Sequence, residues 1–124
     1  MHDWVVIVHA GAGRHSLSLL DKYKIAMDNA CKSAGEILSS SGSSLDAVVS
    51  ALSVLEDDPI TNAGTGSALN RDGHVEMDCS VMEGSTGRFG AVGAISNVYN
   101  PSAVAHHLLV SSSTPLSLGR IPPM

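Results

Sequence analysis

The sequence predicts an α/β or α+β fold in which helices layer against a sheet that the chain itself does not finish. Three observations lead there. A continuous apolar run, Trp4-Val5-Val6-Ile7-Val8, reads as a strand buried on both faces because it does not alternate. Two later stretches repeat their apolar residues at spacings of three and four, the period of an amphipathic helix. Further on, Val75, Met77, Cys79 and Val81 alternate with Glu76, Asp78, Ser80 and Met82, the pattern of a strand with one buried face. The resulting order is strand, helix, helix, hairpin, strand, helix. That gives too few strands for a closed layer, so the chain reads as half a domain.

The first strand runs into His9-Ala10-Gly11-Ala12-Gly13, where glycine lets the backbone turn sharply or approach another group. Gly-Ala-Gly has the spacing of neither nucleotide-binding fingerprint, so a phosphate cradle is not expected. Leu20, Tyr23, Met27, Ala30, Cys31, Ala34, Ile37 and Leu38 form the stripe of the first helix. Gly35 within it costs about 1 kcal/mol relative to Ala, which a close packing contact would explain. Ser39-Ser40-Ser41-Gly42-Ser43 breaks the period. A second helix follows, with Ser43 or Ser44 as its cap and Asp46 favourable in the first turn. Its stripe is Leu45, Val48, Val49, Leu52 and Leu55, and the helix is expected to pack on a sheet.

No regular element passes through Asp58-Pro59-Ile60-Thr61-Asn62-Ala63-Gly64-Thr65-Gly66. This polar, glycine-punctuated loop is where main-chain groups or a small ligand can come close. Leu69 to Val75 is expected as a hairpin turning at Asp72-Gly73. A strand over residues 89–96 carries Gly90 and Gly93, which call for close approach by a neighbour. Asn100 as cap and Pro101 in the first turn open a third helix, with Val104, Leu108 and Ala105 on its apolar face. The organisation expected is one domain portion over residues 1–110 and a Ser/Pro-rich tail over residues 111–124.

Composition narrows the classes. With 124 residues, 44% hydrophobic and 15% charged, the chain is of globular type. Aromatic residues make up only 3%, so the core must rest on aliphatics and alanine, which is thin for a domain standing alone. A net charge of −5 with no cluster of Lys or Arg argues against a nucleic-acid surface. Cys31 and Cys79 have no cysteine neighbours, which suggests reduced, buried thiols in an intracellular protein. No apolar run is long enough for a membrane span, and Met1-His2-Asp3-Trp4 lacks the basic lead of a signal peptide.

Chemistry comes next. His106 and His107 are adjacent and, on a helix, point about 100° apart, so they cannot share one ion. His9, His15 and His74 have no carboxylate or thiol at ligand spacing. No Gly-x-Ser-x-Gly elbow is present for a serine hydrolase. Asp57-Asp58 could be a carboxylate pair, though a solvated helix end explains it as well. Asn62 stands out, because an amide in a glycine loop can orient a substrate carbonyl or an oxyanion.

Three of these motifs, in this order and spacing, carry a family resemblance. They are His9-Ala10-Gly11-Ala12-Gly13 after a strand, Leu55-Glu56 through Asn62-Ala63-Gly64-Thr65-Gly66, and Val75-Glu76-Met77-Asp78-Cys79-Ser80-Val81-Met82-Glu83-Gly84. The chain resembles the type 2 asparaginase family of N-terminal-nucleophile hydrolases. Within it, His9-Ala10-Gly11-Ala12-Gly13 where asparaginases more usually have His-Gly-Gly-Ala-Gly, Phe89-Gly90-Ala91-Val92-Gly93-Ala94 followed by Asn100-Pro101, and above all the ending Leu116-Ser117-Leu118-Gly119-Arg120-Ile121-Pro122-Pro123 look most like the threonine aspartase branch.

The resemblance implies an αββα sandwich made as a proenzyme that cuts itself before a threonine, the new N-terminal Thr then acting as nucleophile. That branch cleaves polypeptide substrates after aspartate, in the nucleus and cytoplasm; the alternative branch hydrolyses asparagine or isoaspartyl dipeptides. The resemblance assigns Gly11 to the active-site lining and Asn62 to the position facing the nucleophile. It gives the carbonyls of Leu55, Glu56, Asp58, Thr61, Ala63 and Thr65 to a loop that encircles sodium in asparaginase relatives, a hard cation suited to oxygen donors. No organic cofactor is implied.

The family's downstream Gly-Thr motif has no counterpart. Thr61, Thr65, Thr86 and Thr114 are the only threonines, and none has its setting. The expectation is therefore an inactive first part of an α subunit, partnered in the complete enzyme by a β subunit in an αβ heterodimer that itself dimerises. The competing readings are the same portion of an isoaspartyl peptidase/asparaginase and, after it, a non-catalytic product that binds and modulates the intact enzyme.

Overall fold

The computed structural model describes residues 3–112, 114 and 116–119. A 3-10 turn at Leu17–Leu19 leads into α1 (Leu20–Ser39), followed by α2 (Ser44–Asp57), a 3-10 turn at Gly64–Gly66, β1 (Met77–Met82), β2 (Phe89–Ile95), α3 (Pro101–Ser112) and a 3-10 turn at Ser117–Gly119. The sheet among the described residues is the antiparallel pair β1-β2. Helices against a small sheet are the mixed α and β fragment the sequence predicts.

α2 is the central element, and it has two working faces rather than the one expected. Ala47, Ala51 and Leu55 close against Ala26, Ala30 and Ala34 of α1. Alanine at every fourth position leaves no side chain to hold two helices apart. The seam also carries a 2.6 Å bond between the hydroxyls of Ser33 and Ser50. Turned away from it, Leu45, Val49 and Leu52 pack on Val81 of β1 and on Ala105 and Leu109 of α3. The expectation that α2 simply lies on a sheet is corrected accordingly. Its alanine face is a helix–helix interface, and Val48, expected in the stripe, is 50% exposed. Ser43 is the cap: its Oγ accepts the Asp46 N–H at 3.0 Å and donates to the Asp46 carboxylate at 2.6 Å.

The run from Trp4 to Val8 is the largest departure. It joins no ladder among the described residues. Val6 and Val8 rest against the α1–α2 core, while Val5 and Ile7 on the opposite side are 80% and 88% exposed. Pattern alone states what a segment is suited to bury. Here the described residues cover one face of it and leave the other bare. An apolar cavity of about 210 Å³ lies between this segment, Ala34 and Leu38 of α1, and Val48, Ala51 and Leu52 of α2. Gly35 finds the close contact its position calls for, since a Cβ there would stand 3.3 Å from the Trp4 indole.

In the hairpin, Val81 pairs with Gly90 and Met82 with Phe89. Gly90 is indispensable in this packing, because a Cβ would overlap the Ala105 carbonyl and stand 2.6 Å from Leu109 N. Gly93, by contrast, meets only the Asp78 carboxylate at an ordinary 3.4 Å. The register shifts between Met77 and Cys79, where β2 carries one extra residue. The Asp78 Oδ1 accepts the Ala94 N–H at 2.7 Å and holds this bulge, with Ala94 at φ 51°.

The turn expected at Asp72-Gly73 is present. Gly73 N donates to Asn70 O at 3.1 Å, Asn70 N to His74 O at 2.8 Å, and Gly73 has φ 81°. The chain flanking it forms no ladder, and strand structure begins only at Met77. On α3 the buried residues are Pro101, Ser102, Ala105 and Leu109, whereas the expected Val104 and Leu108 are half-buried. Of the expected ending, residues 120–123 lie outside the described residues.

Candidate functional site

The loop that follows α2 is built from the helix end outward. Asp58 Oδ1 accepts the Ile60 N–H at 3.0 Å, an Asx turn that reverses the chain at Pro59. Thr61 is 5% exposed; its hydroxyl donates to the Leu55 carbonyl at 2.5 Å, with the Asp58 carbonyl 3.2 Å away. This satisfies a carbonyl in the last turn of α2, where no intrahelical partner exists.

Two glycines follow for a steric reason. A Cβ on Gly64, at φ 53°, would overlap the Glu56 carbonyl, and one on Gly66 would overlap the Thr61 carbonyl and stand 2.7 Å from Pro59 O. Asn62 then clasps the far side, its Oδ1 accepting the Ala68 N–H at 2.8 Å. The side chain that sequence reasoning marked for chemistry therefore spends its carbonyl on holding its own loop. Among the described residues its NH2 has no hydrogen-bond partner.

Asn62 lines a polar cleft of about 290 Å³, together with Glu56, Ser67, Glu76, Asp78 and Pro101. The loop, the start of β1 and the start of α3 all meet there. Asp57 and Asp58 do not act as a pair. Asp57 Oδ1 accepts the Asn100 Nδ2–H at 3.0 Å, and Asp58 stays within its turn. Asn100 thus spends its amide N–H on Asp57 and its carbonyl on the Ala103 N–H at 3.1 Å, while the Ser102 N–H is satisfied from elsewhere. Glu56, 4% exposed, accepts the Ser102 N–H at 3.1 Å on one carboxylate oxygen and the Ser102 hydroxyl at 2.8 Å on the other. A carboxylate at a helix N-terminus satisfies an orphan donor and complements the dipole.

The sequence reading gave Glu56 no side-chain role. The signal was available, because Glu56 continues the series Leu45, Val49, Leu52 at helical spacing and so falls on a buried face. Nearby, burial pushes the Cys79 thiol up from its ordinary value, with the Glu56 charge adding to it.

The other expected residues are distributed unevenly. Gly11 does not line the Asn62 cleft. It is exposed at φ 94°, with open space where a Cβ would stand, so its glycine answers to backbone conformation. Its carbonyl lies 3.3 Å from His15 Nε2, and the His15 ring packs edge-on against Tyr23 with centroids 4.6 Å apart. Of the six carbonyls expected to ring a sodium ion, those of Leu55, Asp58 and Ala63 accept hydrogen bonds from Thr61 and Gly66. Those of Glu56 and Thr61 are crowded into the space that Gly64 and Gly66 leave free, and Thr65 is exposed. An all-oxygen set of this kind has the donor chemistry a hard cation requires.

The asparaginase family model matches residues 2–118. The chain belongs to the type 2 asparaginase family. It is 44% identical over 101 residues to an isoaspartyl peptidase/L-asparaginase from Xenopus laevis, covering 82% of this chain and 33% of that protein. A plant-type L-asparaginase from Pyrococcus abyssi is 43% identical over 115 residues, covering 92% of this chain and 37% of the relative. The Homo sapiens isoaspartyl peptidase/L-asparaginase is 43% identical over 112 residues, covering 90% and 36%. The chain thus spans about a third of the length of the curated relatives it matches. Their names favour the isoaspartyl peptidase/asparaginase branch over the threonine aspartase branch expected from the ending at residues 116–123.

Proposed function

We propose that these 124 residues form the α-subunit portion of an isoaspartyl peptidase/L-asparaginase, a hydrolase of β-aspartyl dipeptides and L-asparagine. The observation that carries this reading is the 44% identity to a protein of that name across 82% of the chain. A hydrolytic site is further supported by Asn62 standing on a loop braced at both ends beside a polar cleft of about 290 Å³.

In this reading the nucleophilic threonine lies in sequence outside these residues, and it attacks the side-chain amide or isopeptide carbonyl. Asn62 offers its NH2 to the nucleophile or to the oxyanion that forms, a donor held in place before the charge develops. The family likeness would give Gly11 to the active-site lining of the complete enzyme. The carbonyls of Leu55, Glu56, Asp58, Thr61, Ala63 and Thr65 would hold a sodium ion, which would supply a fixed positive centre for the loop and take no part in bond making. The chemistry calls on no organic cofactor.

The test is an assay of the full gene product and of the 124-residue chain on β-aspartyl dipeptides, L-asparagine and a polypeptide with an internal aspartate. We expect the gene product to release aspartate from the dipeptide and the 124-residue chain to be inert. Cleavage of the polypeptide after aspartate, without dipeptide hydrolysis, would select the endopeptidase instead.

A further inference from the structure

We propose that the Glu56 side chain is a positioning residue for Asn62, acting by locking the end of α2 to the start of α3 beneath the loop. This rests on the reading of Asn62 given above.

Glu56 belongs to two contacts at once. Its carboxylate is fully engaged by Ser102, through the N–H at 3.1 Å and the hydroxyl at 2.8 Å. Its main chain is the surface over which the loop closes, because Gly64 lies so near the Glu56 carbonyl that a Cβ would overlap it and would stand 2.8 Å from the carbonyl carbon. Asn62 sits two residues before that contact and is clasped to Ala68 after it, by the 2.8 Å bond from Ala68 N to Asn62 Oδ1. A rotation of the last turn of α2 therefore carries the Gly64 crossing and the Asn62 amide with it.

The side-chain bonds to Ser102 oppose that rotation, and so does the 3.0 Å bond from Asn100 Nδ2 to Asp57 beside them. Pro101, the first residue of α3, lines the same cleft as Asn62, so the two walls of the cleft are tied through Glu56. A buried carboxylate held by two donors transmits position well, because losing either bond leaves a desolvated group unmet.

Glu56→Gln keeps the shape but removes the charge from both contacts, and its NH2, which can only donate, forces the Ser102 hydroxyl to turn from donor to acceptor. Amide exchange in the 124-residue chain reads the consequence without any catalysis. We expect exchange at the Ala68 N–H to speed by roughly tenfold in Glu56→Gln and by about threefold in Ser102→Ala, which removes only the hydroxyl donor. A local capping role alone would speed the amides of Ser102 and Ala103 and leave Ala68 unchanged, and that result overturns the proposal. If Glu56→Gln does not fold, Ser102→Ala decides by the same criterion.

In the full gene product, Glu56→Gln is expected to lower kcat on a β-aspartyl dipeptide with KM little changed, and to have no further effect once Asn62→Ala is present. Equal losses with and without Asn62 would contradict it. Absence of dipeptide hydrolysis in the unsubstituted product would instead count against the functional reading and leave the Ala68 result standing.

Discussion

The corner at the end of α2 and the segment from residue 4 to residue 13 both carry family motifs, yet these residues determine them to very different degrees. At the corner the carboxylates of Glu56, Asp57 and Asp58, the Thr61 hydroxyl and the Asn62 Oδ1 each have a partner a few residues away or on α3. Along the early segment, Val5 and Ile7 face solvent and Gly11 has open space around it. The difference is one of range. The corner is closed by short-range hydrogen bonds and by the absence of two Cβ atoms, whereas the early run is a strand sequence whose second face finds nothing among the described residues to cover it.

The largest expected effect breaks the packing on the closed side. Gly90→Val would drive a branched side chain into the α3 backbone at Ala105 and Leu109, and should cost about 3 kcal/mol or more, read as a lowered denaturation midpoint. Thr61→Val keeps the shape and removes the hydroxyl that satisfies Leu55 O; a loss of about 1–3 kcal/mol is expected in urea unfolding. Ser43→Ala deletes the α2 cap and should cost about 1 kcal/mol.

A smaller effect depends on pH. The Thr86 hydroxyl and then Arg88 hold the Glu83 carboxyl below its ordinary value. A depressed folded-state value means stabilisation that is present above the ordinary carboxyl range and fades as pH falls through the folded value. The stability difference between the unsubstituted chain and Glu83→Gln should therefore be seen near about pH 7 and vanish near about pH 2. At the other end of the scale, Ile7→Ser should change the stability of the 124-residue chain by no more than about 0.5 kcal/mol, because the side chain is 88% exposed. A large loss from Ile7→Ser would dissolve the contrast between the two regions.

The same contrast explains what could be read from the sequence. The helices, the Ser43 cap, the Asp72-Gly73 turn and the alternation from Met77 to Val81 were legible because each follows from local period or local hydrogen bonding. So was the need for a neighbour at Gly90, though not which one. Periodicity chose the large residues of α2 as its single buried face, and missed that alanine is what two closely approaching helices want between them. It read Trp4 to Val8 as buried on both sides, since pattern records suitability and not the presence of a partner.

At the candidate site, Asn62 and its glycines stood out from the loop composition. The bond that fixes them runs from Glu56 to Ser102, 46 residues apart, and no spacing rule reaches that far. The sodium ring, Gly11 as a wall and the nucleophile itself came from the family likeness alone.

The most direct measurement is amide exchange of the unsubstituted 124-residue chain, resolved by residue. The account predicts that Thr61, Gly66 and Ala68 exchange at least about a hundredfold more slowly than Val5 through Val8, whose amides should approach the unfolded rate. Equal protection across the two regions, or a protected early segment beside an unprotected loop, would contradict it.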